Sequence, residues 1–148
     1  MDQLDHGIDG STFIVAGVDG SDSSWRAAAY AAGLARRQRS LLVIVYVQPL
    51  PSTFANLSGA VWDTGEEIAY ELLSHIRRST TRLGEKEQVR WEFRALRGDP
   101  ANGLIRVAQE LRADAIVVGA STSAGHRIYG SVAVRLVKVG RWPIIVVP

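Results

Sequence analysis

Cysteine is absent from this chain of 148 residues, and methionine occurs once. Without cysteine the protein has no disulfide bond, no thiolate metal ligand and no cysteine nucleophile. Lysine is scarce too, because Lys86 and Lys138 are the only two and the other basic residues are arginines. The net charge of +2 is small and acidic residues are interspersed with basic ones. The sequence therefore predicts no concentrated basic surface for nucleic acid.

Long hydrophobic runs are missing as well, since none has the roughly 20 residues that a membrane-spanning helix needs. Residues 1–10 lack the basic start and apolar stretch of a signal peptide, so we expect a cytoplasmic protein that does not enter membranes. Hydrophobic residues make up 47% and charged residues 22%, which is typical of a folded globular chain. We predict a flexible lead-in over residues 1–10 and one domain over 11–148, because this length suits one core.

Apolar segments of two kinds alternate with helix-forming segments. Continuous apolar runs, typical of strands buried on both faces, occupy 12–18, 41–47, 115–119 and 143–147. Residues 89–95 alternate between apolar and charged side chains, which predicts a strand at a sheet edge with one wet face. Strict alternation of strands and helices predicts an α/β, doubly wound, Rossmann-like fold, in which helices cover both faces of a five-stranded parallel sheet.

The starts of two helices have recognisable signals. Thr64-Gly65-Glu66-Glu67 has the pattern of a capping box, which predicts a helix beginning there. Gly98-Asp99-Pro100 supplies an N-cap aspartate followed by proline at the first helical position. The other two helices are predicted from Trp25 to about Arg37 and from Ser131 to Val139.

Two loops of this fold are candidates for ligand binding, because open α/β sheets bind ligands beyond the carboxyl ends of the strands where the winding reverses. The loop after the first strand contains Asp19, and the loop after the fourth runs from Gly119 through Gly125 to Gly130. Glycines let backbone N–H groups approach a ligand, and the helix that starts at Ser131 presents N–H groups suited to phosphate. From the residues alone, Asp19 is better explained as a cap or turn former, whereas Ser131 either contacts phosphate or caps the fourth helix.

Four sequence motifs occur in an informative order. They are Val18-Asp19-Gly20-Ser21, Gly98-Asp99-Pro100, the loop ending in Gly130-Ser131, and the closing segment from Trp142 to Pro148. In this combination the chain resembles the universal stress protein family over essentially its whole length after residue ten. The resemblance implies a sheet in the order 3-2-1-4-5 and a homodimer formed through the last strand. It also implies a regulatory or binding role in the stress response.

Members of that family divide into ATP binders and proteins that bind no nucleotide. The resemblance implies that Asp19 and Val47 correspond to the ribose and adenine contacts of the binders. The remaining implied ligand contacts lie around the glycine loop, at Gly119, Gly130, Ser131 and Val132. ATP is therefore the predicted cofactor, with magnesium as its companion.

The glycine loop departs from the family's pattern. Ten residues separate Gly119 from Gly130, two fewer than in the binders, and Thr122 occupies the position of the second glycine. Gly125 is the candidate to take the role of that second glycine. A dimeric scaffold that binds no nucleotide is the alternative function.

Catalysis has little support in the sequence. There is no Gly-x4-Gly-Lys-Ser/Thr motif, and no second acidic cluster accompanies Asp19 to hold magnesium, so a weak ATPase is the less favoured alternative. A phospho-accepting receiver domain would use Asp99, but paired acidic residues after the first strand are missing. The histidines have no metal-ligand spacing, so we expect neither an enzyme nor a metal site.

Overall fold

Strands and helices alternate along the chain. The computed structural model of the protein describes residues 12–50, 60–82, 88–120 and 130–148. The elements are β1 (Phe13–Gly17), α1 (Asp22–Gln38), β2 (Leu41–Gln48), α2 (Ala60–Thr81), β3 (Trp91–Arg97), α3 (Pro100–Leu111), β4 (Ala115–Gly119), α4 (Ser131–Val139) and β5 (Ile144–Val147). In these four ranges no helix combines the length and apolarity needed to cross a bilayer. The predicted lead-in over residues 1–10 lies outside them.

The five strands form one parallel sheet in the order β3-β2-β1-β4-β5. Val15 of the central strand β1 is paired with Val43 of β2 on one side and with Ile116 of β4 on the other. The predicted fold class and strand order are therefore confirmed. Strands β2 and β4 lie on opposite sides of β1 in the sheet. The direction in which the chain winds therefore reverses between the carboxyl ends of β1 and β4.

Two hydrophobic cores cover the two faces of the sheet. One side of β1 presents Ile14 to α1 and α2, where it belongs to the same core as Leu72. The other side presents Val15 to α3 and α4, where Leu104 and Leu136 belong to its core. Since successive side chains of a strand point to opposite faces, continuous apolar runs are what a sheet covered on both sides requires.

Strand β3 lies at a sheet edge, as its alternating pattern predicts. Trp91 and Phe93 pack against the core of α1 and α2. Arg94, the residue after Phe93, pairs with Glu92 at 2.5 Å and with Glu110 of α3 at 3.2 Å. The strand ends at Arg97, two residues beyond the alternating segment that predicted it.

Local capping residues begin two of the helices. The side chain of Ser21 accepts a hydrogen bond from the Ser24 N–H at 3.3 Å and caps α1. Asp99 caps α3 by accepting a hydrogen bond from the Asn102 N–H at 2.9 Å, with Pro100 at the first helical position. The predicted cap at Asp99 is confirmed.

The predicted start of the second helix is wrong. Helix α2 begins at Ala60, so Thr64 lies inside the helix and does not cap it. The apolar spacing that marks the helix continues upstream, since Val61 precedes Ile68 by two turns. Gly65 lies against the side chain of Gln48 at the end of β2, which occupies the space that a Cβ atom would take.

Adjacent residues of α4 offer a test of how the helix is held on the sheet. Leu136 is 0% exposed and Val137 is 58% exposed. We expect Leu136→Ala to lower the free energy of unfolding by about 2–5 kcal/mol, because it leaves a cavity in a packed core. Val137→Ala should change it by less than about 0.5 kcal/mol. Urea denaturation measures both, and equal effects would contradict this packing of α4.

Candidate functional site

A cavity of about 350 Å³ opens where the winding of the sheet reverses, beyond the carboxyl ends of β1 and β4. It is bounded by the ends of the strands, by the start of α3 and by the start of α4. Its volume is within the range of about 300–1,000 Å³ that is usual for small-molecule sites. Six residues that the sequence nominated line this one cavity: Asp19, Val47, Gly119, Gly130, Ser131 and Val132. The seventh, Gly125, lies outside the described residues.

The carboxylate of Asp19 is fixed by the turn between β1 and α1. Its Oδ1 accepts a hydrogen bond from the Ser21 N–H at 2.9 Å, and its own N–H donates to Oγ of Ser24 at 3.3 Å. Desolvation would raise the pKa of Asp19, but hydrogen bonds from Ser21 and Ser24 outweigh it and hold the pKa below its ordinary value. The side chain is therefore an ionised acceptor at neutral pH, two residues before the helix cap.

Tyr46 lies on the same cavity and responds to that charge. The ring is 6% exposed, and its burial first and the negative charge of Asp19 second raise the pKa of its hydroxyl above the ordinary value. The phenol is therefore neutral over the physiological range and keeps its proton for donation. The site thus combines one fixed anion with neutral polar groups.

The inner wall of the cavity is apolar. Its main contributors are Val45, Val47, Leu104, Val118 and Ala133. Helix α3 approaches this wall closely at Gly103, where a Cβ atom would lie 2.6 Å from Cγ2 of Val47. A flat, weakly polar group would bury its faces on this wall, while the polar rim lies at Asp19 and the serines of the α1 turn.

The start of α4 forms another part of the rim of the cavity. Its N-cap is Gly130, which has no side chain to accept a hydrogen bond from the first turn. Ser131 is the first helical residue, so the alternative that its hydroxyl caps the helix is wrong. The first N–H groups of a helix lack partners within the helix and favour an anion. Gly130, Ser131 and Asp19 line the same cavity.

Gly119 has a structural reason to be glycine besides its place in the cavity. A Cβ atom there would lie 2.6 Å from the carbonyl carbon of Ser23 and 2.7 Å from the backbone nitrogen of Ser24. Such distances are too short for non-bonded atoms, so the end of β4 contacts the first turn of α1 only because position 119 lacks a side chain. Gly119, Ser23 and Ser24 all line the cavity, so this contact forms part of its wall.

The sequence did not indicate one ion pair beside the site. Arg135 of α4 donates to both carboxylate oxygens of Asp99 at 2.6 Å and to Oδ1 of Asn102 at 3.0 Å. The hydrogen bond from Arg135 first, and the one from the Asn102 N–H second, hold the pKa of Asp99 below its ordinary value. The pair links the N-cap of α3 to the middle of α4, and its partners are too far apart in sequence for any local pattern to reveal it.

The residues described around the cavity suit binding better than catalysis. Asp19 is the one carboxylate among those that line it, and no histidine or lysine accompanies it there. Across the described ranges, no cluster of histidine, aspartate or glutamate has the composition and spacing to hold a metal ion. A Mg²⁺ ion at this cavity would therefore depend on ligand oxygens for much of its coordination.

Comparison with known proteins identifies the family. The model of the universal stress protein family matches residues 12–148. The chain belongs to this family. A universal stress protein of Methanocaldococcus jannaschii is 31% identical over 137 residues, covering 90% of this chain and 80% of that protein.

Two solved universal stress proteins have the same fold. Universal stress protein UspA from Lactobacillus plantarum superposes with a TM-score of 0.79 at 25% identity, covering 93% of this chain and 97% of that one. The universal stress protein from Archaeoglobus fulgidus, solved in complex with dAMP, gives a TM-score of 0.63 at 26% identity. That match covers 93% of this chain and 98% of the other.

The same substitution at two glycines tests the contact that frames the site in this universal stress protein domain. Gly119→Ala should lower the free energy of unfolding by about 1–3 kcal/mol, because its Cβ meets the backbone of α1. Gly33→Ala lies inside α1 and meets only the flexible end of Arg37 at 3.1 Å, so it should raise stability by about 0.5–1 kcal/mol. Denaturant unfolding measures both; a neutral Gly119→Ala would contradict the close approach.

Proposed function

We propose that this universal stress protein is a regulatory module that binds an adenine nucleotide in the cavity at the carboxyl edge of its sheet. The observation that carries the proposal is the arrangement of that cavity. An ionised Asp19, an apolar wall and an uncapped helix start surround a volume of about 350 Å³. Asp19 matches the ribose of a nucleotide, the apolar wall matches its base, and the helix start matches its phosphate.

The base and ribose would lie on the β1 side. The apolar wall at Val45 and Val47 suits the faces of adenine, which bury well against aliphatic side chains. The two oxygens of an ionised carboxylate together offer about four acceptor positions, so Asp19 can accept from a ribose hydroxyl besides the Ser21 N–H. An anionic acceptor gives the stronger kind of hydrogen bond, so Asp19 would supply much of the affinity.

The phosphate would lie at the start of α4. Gly130 and Ser131 place the first N–H groups and a hydroxyl there. The dAMP complex of the Archaeoglobus fulgidus relative supports an adenine nucleotide as the ligand class. ATP with magnesium remains the predicted ligand. Because the glycine loop is short, the number of phosphates that the site accommodates is decided by experiment.

Output through conformation or a partner suits this site better than turnover. One carboxylate lines the cavity among the described residues, whereas phosphoryl transfer needs charges that stabilise the transferred group and a means to orient the nucleophile. A weak ATPase is the competing enzymatic function. Release of inorganic phosphate from ATP, slower than one turnover per minute and unchanged in Asp19→Ala, would argue against it.

Thermal melting tests nucleotide binding directly. ATP and AMP are titrated with and without Mg²⁺, with GMP as the control base. At a hundredfold excess over the dissociation constant, we expect stabilisation of about 2.7 kcal/mol, a rise of roughly 5–10 °C for a chain of this size. Asp19→Ala should abolish the rise. Asp22→Ala, which removes an exposed carboxylate three residues away that does not line the cavity, should preserve it.

The possible outcomes separate the candidate functions. A flat response to all three nucleotides at millimolar concentration would make the protein the non-binding dimeric scaffold. Equal rises in melting temperature with AMP and GMP would mean that contacts to the phosphate and ribose, and not to the base, provide the affinity. A shift with AMP that ATP does not exceed would indicate that the shortened loop accommodates a single phosphate.

We also propose that the protein forms a homodimer through β5. This strand is the second edge of the sheet and all four of its residues are only half-buried. The carbonyls of Pro143 and Val147 accept hydrogen bonds from β4 at 3.0 and 2.7 Å, so the backbone groups of Ile144 and Val146 point away from the sheet. An apolar edge with free backbone groups is protected when a second copy pairs with it.

Proline at matched positions on the two sheet edges tests this interface. Val146→Pro removes an outward N–H from β5, whereas Ala95→Pro removes one from the opposite edge, on β3. Light scattering should give twice the 16.1 kDa chain mass for the unmodified protein and for Ala95→Pro. Val146→Pro should give a folded monomer. A dimer that survives Val146→Pro but is lost with Ala95→Pro would place the interface at β3.

A further inference from the structure

A second cavity, of about 490 Å³, lies on the face of the sheet that α1 and α2 cover. We call it the α1–α2 groove. Its walls are α1 and α2, and its floor is formed by Leu42 and Ile44 of β2 with Val89 and Trp91 beside them. Leu42 is paired with Trp91 at the beginnings of their strands. At this end of the groove, Leu42 lies five strand residues, or about 16 Å, from Val47 and the carboxyl edge.

The groove exists because α1 presents small residues toward α2. The α1 wall consists of Ala28, Ala29, Ala32 and Gly33, and the α2 wall includes Ile76, Ser79 and Thr80. Protein interiors are normally packed without voids larger than a water molecule. A concave apolar space of this volume between two helices is consequently available to a ligand.

The two ends of the groove have different chemistry. At one end the rings of Trp25 and His75 stack with their centroids 4.2 Å apart and join α1 to α2. At the other end lies Arg36, eleven residues further along α1 and thus about 16 Å away. An apolar body would lie between the helices, flanked by tryptophan rings, with its polar end toward Arg36.

Among the described residues, Arg36 is the one charged side chain that lines the groove. No aspartate or glutamate lines the groove among the described residues. Within the same part of the chain no carboxylate forms an ion pair with Arg36. A guanidinium group beside an apolar groove favours a carboxylate, with which it forms two parallel hydrogen bonds.

We propose that the α1–α2 groove is a second binding site, for a small organic acid with a flat apolar body and one carboxylate, which Arg36 binds. The site is independent of the nucleotide cavity, because no residue is shared between the two linings. It gives the domain a second ligand that contacts the other face of β2.

Binding of 1-naphthoate tests the proposal, with neutral 1-naphthalenemethanol as the matched probe. We expect saturable binding of naphthoate with a dissociation constant of about 0.1–1 mM, in keeping with the size of the molecule. In ¹H–¹⁵N spectra the indole N–H signals of Trp25 and Trp91 should shift. The signal of Trp142, which packs on the other face of the sheet, should not.

Two arginines provide the charge control. Arg36→Gln should weaken naphthoate binding by about 3- to 10-fold and leave the naphthalenemethanol affinity unchanged, since only the ion pair is lost. Arg106→Gln removes an exposed arginine from α3, on the opposite face, and should change neither affinity. Equal effects of the two substitutions would overturn the role of Arg36.

Filling the groove is the second test. Ala32→Leu adds a branched side chain to the α1 wall, and thermal melting confirms that the variant folds. We expect naphthoate binding to fall at least tenfold. Unchanged binding, or complete competition between naphthoate and AMP, would place the ligand elsewhere and overturn the proposal. Binding that appears only after removal of residues 1–11 would mean that the chain itself occupies the groove, which also contradicts it.

Discussion

Strand β1 hydrogen-bonds to β2 on one edge and β4 on the other, and helices cover both of its faces. Every other element takes its place from this enclosed strand. The chain leaves β1 toward α1 and β2, and β4 enters from the other side, so the loops after β1 and β4 diverge around one opening. The burial that stabilises the domain therefore also produces the cavity that we propose for the nucleotide.

Features governed by neighbours in sequence could be predicted, and features governed by contacts across the chain could not. The central strands and the cap at Asp99 follow from local apolar runs and from Gly98-Asp99-Pro100. The start of α2 was missed because a capping-box pattern at Thr64 outweighed the helical spacing upstream of it. No local pattern indicates that Arg135 reaches Asp99 or that α1 and α2 leave a groove, since both depend on the spacing between separate elements.

The cavity that we propose for the nucleotide could be predicted in its residues but not in their arrangement. Family resemblance brought Asp19, Val47 and the glycine loop together, and the structure places their described members around one space. It also reassigns individual roles, because Gly130 and not Ser131 caps α4, and Gly119 contacts α1. These roles depend on differences of a few tenths of an ångström in the distances between separate elements, which periodicity and composition do not encode.

The contact between Gly119 and the first turn of α1 has a consequence for how such domains diverge. The backbones of residues 23, 24 and 119 approach without intervening side chains. A descendant with any larger residue at position 119 needs a compensating shift of the α1 turn, and that shift also moves Asp19, which is hydrogen-bonded to Ser21 and Ser24. The two loops are thus constrained to evolve as a single unit, even though a hundred residues of chain separate them.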